Sequence, residues 1–322
     1  AIMHGTAHPE LAREIARVGK IPIIETKVTR FNNGEVSVKD TAKSVRGKHI
    51  FLVQTGGRDI NNELMETLIM IDSLKRAGVG KVTVVLPHYP YGRQERKAGE
   101  REPISAALVA RLLHKAGAHS LVSIDLHAKS IQGFFPGNFE NLRVQHLVKR
   151  HLMKTLGKKY KEAIIVSPDV GGLPRVEGYA NSEGLGLGVF HKKRPKPGKS
   201  EINMYKGPGK SEKKMYMGPS VRGKTAVLFD DMIDTGGSIV NAAKQLRKQG
   251  AKRVLVYATH PIFTGDAEKL LNEARQIEKV VVTDSIPVKP NGKIEVMPIA
   301  PFLSQVIHAI SRGHSVSKLM KL

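Results

Sequence analysis

Thr225-Ala226-Val227-Leu228-Phe229-Asp230-Asp231-Met232-Ile233-Asp234-Thr235-Gly236-Gly237-Ser238 is the stretch on which the fold turns. Thr225–Phe229 is short, apolar and β-rich, as a buried strand should be. It ends in two acids, and small residues then lead into the helical pattern Ser238–Gln249. Such a strand-to-helix turn exposes backbone N–H groups at a helix start, where the helix dipole favours an anion. Thr235 and Ser238 add hydroxyl donors. Asp230 and Asp231 repel phosphate but suit the cis-diol of a ribose. The plainer alternative is a helix cap with two solvated acids. Adjacent acids closing a buried strand are costly as structure alone, so the stretch reads as a ribose-phosphate site.

Working outward, the same order of signals occurs twice. Ser44-Val45-Arg46-Gly47-Lys48 precedes the apolar run His49–Gln54, and Ser220-Val221-Arg222-Gly223-Lys224 precedes Thr225–Phe229. Thr55-Gly56-Gly57 matches Thr235-Gly236-Gly237, and strand-like runs end in His88 and in His260. The offsets of 176, 180 and 172 keep a nearly constant register. Further strand candidates are Lys81–Pro87, Ser120–Asp125, Ala163–Pro168, Arg253–Thr259 and Lys279–Asp284. They alternate with helical patterns over Asn61–Ala77 and Pro103–Ala116. Strand–helix alternation argues for parallel sheets covered on both faces. The expected fold class is α/β: two duplicated Rossmann-like domains with mainly parallel sheets, over 1–145 and 146–300. The first copy, Gln54-Thr55-Gly56-Gly57, lacks the acid pair, so one ribose-phosphate site is expected, in the second domain.

The 322 residues suit about two domains. No cysteine is present, which excludes disulfides, thiolate metal sites, Fe–S clusters and cysteine nucleophiles. It fits a reducing cytoplasm. No apolar run is long enough to span a membrane, and no signal peptide is visible at the N-terminus. Fifty-two Lys and Arg against 29 Asp and Glu give a net charge of +23, which draws anions such as nucleotides and sugar phosphates. The charge is concentrated. Residues 143–161 hold seven Lys/Arg and no acid, and 192–224 hold eleven against Glu201 and Glu212. No aromatic interleaving accompanies these runs, so nucleic-acid binding has only weak support.

Two further motifs stand apart. Gly218-Pro219-Ser220-Val221-Arg222-Gly223-Lys224-Thr225 has the spacing of a Walker A loop but leads into a strand, where no helix N-terminus can hold phosphate. It reads as coincidence. Residues 197–207 repeat directly as 208–218 with eight of eleven positions identical, which suggests a projecting hairpin or a mobile loop that gates the active site.

Val227–Ser238 resembles the phosphoribosyl-binding loop of the type I phosphoribosyltransferase fold. More narrowly, the chain resembles the ribose-phosphate pyrophosphokinase (PRPP synthetase) family. The match includes Arg30-Phe31-Asn32-Asn33-Gly34-Glu35, Tyr91-Gly92-Arg93-Gln94-Glu95-Arg96-Lys97, Asp125-Leu126-His127-Ala128, Ser167-Pro168-Asp169-Val170-Gly171-Gly172 and His191-Lys192-Lys193-Arg194. The resemblance implies Mg2+-dependent transfer of the β,γ-diphosphoryl group of ATP to ribose 5-phosphate. It implies ATP contacts at Arg93, Gln94 and His127. It implies further ones at Phe31, Asn33 and Glu35, which reach the adenine of a neighbouring subunit in a dimer-based homo-oligomer, expected as a hexamer. It assigns His127 and Asp169 to magnesium, and Lys192 and Arg194 to the transition state. Asp230, Asp231, Asp234, Thr235, Gly236, Gly237 and Ser238 are assigned to ribose 5-phosphate. It also implies that 301–318 packs back on the first domain. Read without the family, His127 is a structural histidine and Lys192-Lys193-Arg194 a solvated basic face. The chain departs from the family at Asn33, where an Asp is usual, at Ala98-Gly99, in the repeat and in its basicity. The rival implications are a non-catalytic regulatory paralogue, or a transcription regulator of the same fold, for which no helix-turn-helix is found.

Overall fold

The computed structural model describes residues 1–40, 44–192 and 214–321. The first half runs β1 (Ile2–His4), α1 (Pro9–Gly19), β2 (Ile23–Ile24), β3 (Thr26–Arg30), β4 (Val36–Asp40), β5 (His49–Val53), α2 (Ile60–Arg76), β6 (Lys81–Leu86), α3 (Ser105–Ala116), β7 (Ser120–Ile124) and β8 (Asn138–Leu142). The second runs α4 (Gln145–Leu156), β9 (Ile164–Ser167), α5 (Leu173–Glu183), β10 (Gly186–Lys192), β11 (Lys214–Met217), β12 (Thr225–Ile233), α6 (Gly237–Lys248), β13 (Arg253–Pro261), α7 (Ala267–Glu273), β14 (Lys279–Thr283), β15 (Ile294–Met297) and α8 (Ala300–Ser311). Among the described residues no helix is long and apolar enough to cross a membrane.

All seven strands and three helices expected from the sequence form. The first sheet has the order β2-β1-β5-β6-β7-β8, all parallel. The second has the order β11-β10-β9-β12-β13-β14-β15, parallel except for the β10–β11 pair. In each sheet the chain reverses its direction of growth once, between β1 and β5 and between β9 and β12. Open α/β sheets bind ligands outside the C-terminal strand ends at such switch points. The duplication is visible in detail. Gly47 N–H donates to Gly78 O and Gly223 N–H to Gly250 O, both at 2.9 Å. Both glycines have positive φ, +70° and +74°, so Ser-Val-Arg-Gly-Lys is one turn used twice. Lys224 thus belongs to a strand-entry turn, as its place before a strand predicted, and not to a phosphate loop.

Buried side chains fall into three groups. Leu52, Val84, Met70 and Val109 cover one face of the first sheet with α2 and α3. Leu228, Val256, Ala243 and Leu246 cover one face of the second with α6. The remaining core is shared: Phe51 and Val122 of the first sheet and Phe229 and Tyr257 of the second join it through α1, α4, α5 and α8. Leu303, Val306 and Ile307 of α8 lie in this core with Leu11 and Ile15 of α1. His308 Nε2 bonds to Gly19 O at 2.8 Å.

One expectation is corrected. The strand over Thr225–Phe229 does not stop at the acids. β12 continues to Ile233, with Asp230 opposite Ala258 and Met232 opposite His260 on β13. The acids are tolerated within a strand because their carboxylates meet partners from other parts of the chain. The repeat at 197–213 lies outside the described residues. Its end, Lys214–Met217, forms β11 and pairs antiparallel with Val189–Lys192.

Candidate active site

The second switch point opens into a cleft of about 690 Å³ between the two halves. The turns after β9 and β12 form its floor, and the loops after β6 and β7 face them. Gly236, at φ +77°, makes the turn that aims the N-terminus of α6 at the cleft. The first-turn N–H groups of a helix have no intrahelical partner, and Thr235, Gly236 and Ser238 line the space beside them.

Asp231 is the hub. It is buried, 3% exposed. Its Oδ2 accepts from His127 Nδ1 at 2.7 Å and lies 3.2 Å from Arg175 Nη2. Burial pushes this carboxyl up, but the His127 bond and the Arg175 charge outweigh it and hold Asp231 below the usual carboxylate range. Asp230 moves the other way. Burial first, then the neighbouring Asp231, push it well up, and Asp169 adds to the effect. The acid pair therefore loses its two protons in separate steps. Arg175 Nη1 stands 3.6 Å from Asp230 Oδ1, and Nη2 also donates to His127 O at 3.3 Å. One guanidinium thus ties both acids to the His127 loop of the other half. Arg175 was not singled out in the sequence. It follows the quoted Asp169–Gly172 motif by three residues, and that proximity was the available signal.

Asp169 Oδ1 accepts from Gly172 N–H at 3.0 Å. A Cβ on Gly172 would come within 2.7 Å of Ser167 Oγ and 3.8 Å of both Asp169 Oδ1 and Asp230 Oδ1, so a glycine is needed where these carboxylates converge. Arg93 crosses from the first half to Asp234, Nη1 to Oδ2 at 2.7 Å. Thr264 Oγ1 donates to the other oxygen of Asp234. The Thr264 hydroxyl and then Arg93 hold Asp234 below its usual range.

The structure thus brings Arg93, His127, Asp169, Asp230, Asp231, Asp234, Thr235, Gly236 and Ser238 to one cleft, with Gly237 opening α6 beside them. Gln94 is adjacent but turned to α3, its Oε1 accepting from Ser105 Oγ at 2.5 Å. Phe31, Asn33 and Glu35 are not at the cleft. They sit in the turn joining β3 to β4, a separate two-stranded sheet. Asn33 Oδ1 accepts from Glu35 N–H at 3.1 Å, and Phe31 is 60% exposed. Lys192 ends β10, three residues beyond Val189, which pairs with Ser167 at the cleft end of β9. Arg194 lies outside the described residues.

Two parallel-sheet halves with paired acids and a glycine-rich helix start at their interface fit an α/β enzyme that handles phosphorylated substrates. Comparisons narrow the class. Residues 1–117 match the N-terminal domain of ribose phosphate pyrophosphokinase, and 199–321 the phosphoribosyl synthetase-associated domain. A ribose-phosphate pyrophosphokinase of Aquifex aeolicus is 40% identical over 99% of this chain and 98% of its own length. One from Clostridium acetobutylicum is 39% identical over 99% and 97%. The crystal structure of phosphoribosylpyrophosphate synthetase from Mycobacterium smegmatis superposes with a TM-score of 0.87 at 38% identity, covering 97% of this chain and 98% of that one. The chain belongs to the ribose-phosphate pyrophosphokinase family.

The family implies a divalent metal. Among the described residues no three His, Asp or Glu side chains converge to hold an ion unaided. That donor set suits magnesium, which takes one or two carboxylates, keeps waters and is completed by substrate phosphates. Asp169 with the Asp230–Asp231 pair outweighs the single charge of Arg175, so a cation fits there. His127 is the poorer ligand because magnesium prefers oxygen donors; its Nδ1 bond to Asp231 leaves Nε2 free and orients the ring, as metal-facing histidines are commonly held.

Proposed function

We propose that this chain makes 5-phosphoribosyl 1-pyrophosphate from ATP and ribose 5-phosphate. The anomeric oxygen attacks the β-phosphorus of ATP, the bond from that phosphorus to the oxygen of the α-phosphate breaks, AMP leaves, and the hydroxyl proton is released. Family membership along the whole chain is the observation that carries this. The sugar enters over β12, its diol on Asp230 and Asp231 and its phosphate at the start of α6, on Thr235, Gly236, Gly237 and Ser238. Asp231, held charged by His127 and Arg175, accepts from a hydroxyl. Asp234 holds Arg93 across the cleft until the polyphosphate of ATP takes that guanidinium. Such reactions depend on positioning and charge neutralisation more than on covalent catalysis. Lys192 and Arg194 are assigned to the charge that develops at the β-phosphorus. Magnesium, when bound through Asp169, with His127 as the poorer ligand, neutralises charge on the phosphates.

Gln94 and His127 complete the ATP contacts within one subunit. Phe31, Asn33 and Glu35 serve a neighbouring subunit in a dimer-based homo-oligomer, a hexamer. An exposed aromatic in the turn of the β3–β4 hairpin supports that assignment. The domains are assigned as 1–145 with 301–318, and 146–300, in keeping with the packing of α8 on α1. A cytoplasmic location belongs to the same reading, on the strength of the cysteine-free sequence. The test is one assay with purified protein, magnesium, ATP and ribose 5-phosphate, following AMP and 5-phosphoribosyl 1-pyrophosphate together. Equal amounts of both are expected, and ADP as product would overturn diphosphoryl transfer.

A further inference from the structure

The strands of the second sheet that run parallel all begin at one edge, the edge opposite the cleft. β12 pairs with β9 at Ala226–Ile164 and with β13 at Thr225–Arg253, and β13 with β14 at Leu255–Lys279. The residues that enter these strands therefore form a row across the sheet, with neighbouring strands about 4.8 Å apart. Those residues are basic. Lys158, Lys159 and Lys161 lead to β9, Arg222 and Lys224 to β12, and Lys252 to β13. All six are exposed. One exposed acid, Glu162, stands in the row beside Lys161, and the other acids close to this edge are spent: Glu278 on Arg253 at 2.6 Å, Glu295 on Lys279 at 2.5 Å and Glu183 on Lys149 at 2.7 Å. Among the described residues, Lys158, Lys159, Arg222, Lys224 and Lys252 enter none of these ion pairs. Part of the chain's basic excess thus lies on a face that the proposed chemistry does not use.

We propose that this edge binds nucleic acid through its phosphates, without reading sequence. A row of exposed cations on rigid strand entries matches a repeating line of phosphates, which Lys and Arg neutralise with release of counterions. Two features favour this partner over a membrane. No exposed large hydrophobic residue lies at these strand entries, and surface binding to lipid needs buried apolar area as well as charge. The aromatic ring in the row, Tyr160, is 3% exposed and unable to stack on bases, so the contacts are to the backbone and a duplex serves as well as a single strand.

The test uses the full chain with Lys158→Glu, Lys159→Glu, Lys224→Glu and Lys252→Glu combined. A control reverses four cations elsewhere, Lys20, Lys289, Arg312 and Lys318, which matches the change in net charge. Binding to a fluorescent 30-base-pair duplex is measured by anisotropy across a salt series, roughly 50 to 200 mM. Wild type and control should bind with a steep salt dependence. The edge variant should lose at least tenfold in affinity, and its log–log salt slope should fall by about 3 to 4, near 0.9 per lost phosphate contact. The four Gln substitutions should give the same direction with a smaller loss. Activity with ATP and ribose 5-phosphate should be retained in every variant. No duplex binding by wild type, or equal losses in edge variant and control, would overturn the proposal. So would edge-dependent binding confined to anionic phosphatidylserine vesicles.

Discussion

The two switch points have the same topology and opposite fillings. At the second, glycines and acids leave an open cleft. At the first, side chains plug the equivalent space. Glu66, fully buried, takes Thr6 N–H at 2.6 Å, Thr6 Oγ1 at 2.7 Å and Gln54 Nε2 at 3.1 Å. Gln54 Oε1 in turn accepts from Ala7 N–H at 3.0 Å. The turns differ in the same sense. Gly57 N–H, the counterpart of Gly237 N–H at the start of α6, is taken by Glu63 Oε2 at 2.6 Å. Thr55 Oγ1 donates to Ser285 O at 2.7 Å and accepts from His88 N–H at 3.1 Å. A duplicated turn thus stays open or becomes a structural joint according to whether the chain supplies its own carboxylate.

Asp231→Asn should break the binding side of this comparison with the largest effect. It removes the charged acceptor for the ribose hydroxyl, so kcat/KM for ribose 5-phosphate should fall roughly 100-fold, about 3 kcal/mol, with a much smaller loss of ATP affinity through the weakened His127 contact. A matching loss of ATP affinity in steady-state kinetics would mean that the acid is not a dedicated diol group. The two threonines give a paired test. Thr55→Val should cost about 2 kcal/mol of unfolding free energy and leave substrate KM alone, because two buried polar groups lose their partner. Thr235→Val should raise the ribose 5-phosphate KM about tenfold with little loss of stability. Denaturant titration and kinetics on both proteins check the contrast, and similar profiles would erase it.

How much of this was legible in the sequence follows from the range of the forces involved. The strands, the duplicated Ser-Val-Arg-Gly-Lys turn and the glycine turn before α6 are set by neighbouring residues, and local pattern reported them. The length of β12 was not legible. Asp230 and Asp231 look like a strand end until Arg175 and His127 arrive from 55 or more positions away. The motif gives Gln94 as an ATP contact and says nothing of its bond to Ser105, which loop geometry sets. Glu63 and Glu66 gave no signal at all, since their partners, backbone N–H groups together with the Thr6 hydroxyl and the Gln54 amide, are brought near only by the fold.

The seam between the two regions offers a smaller test. His88, two residues past β6, and His260, next to last in the equivalent β13, meet at 4.9 Å between ring centres, tilted by 54°. Burial, with His88 beside it, lowers His260 to about 3. The folded pKa lies below the unfolded 6.5, so between these values the unfolded chain binds the extra proton. Stability from this group is complete above pH 6.5 and is lost as pH falls towards 3. His260→Asn should flatten the stability–pH slope by up to about 1.4 kcal/mol per pH unit, read from urea midpoints at about pH 7.5 and about pH 5. An unchanged slope would remove His260 from the acid response. Smallest of all, Glu63→Gln should cost about 1 kcal/mol of stability and leave ribose 5-phosphate kinetics untouched. A lowered KM would show that the first turn also meets substrate.

The docking of α8 on α1 has a consequence for synthesis. A ribosome delivers α1 first and α8 after the whole second sheet, so Leu11, Ala12, Ile15 and Ala16 wait with an uncovered apolar face while nearly 300 residues emerge. Chains fold from the N-terminus during translation at about 5–20 residues per second, so that face stays open for some tens of seconds. A messenger cut short before α8 would therefore yield a first half that is unfinished on one side, however completely its own sheet has been translated.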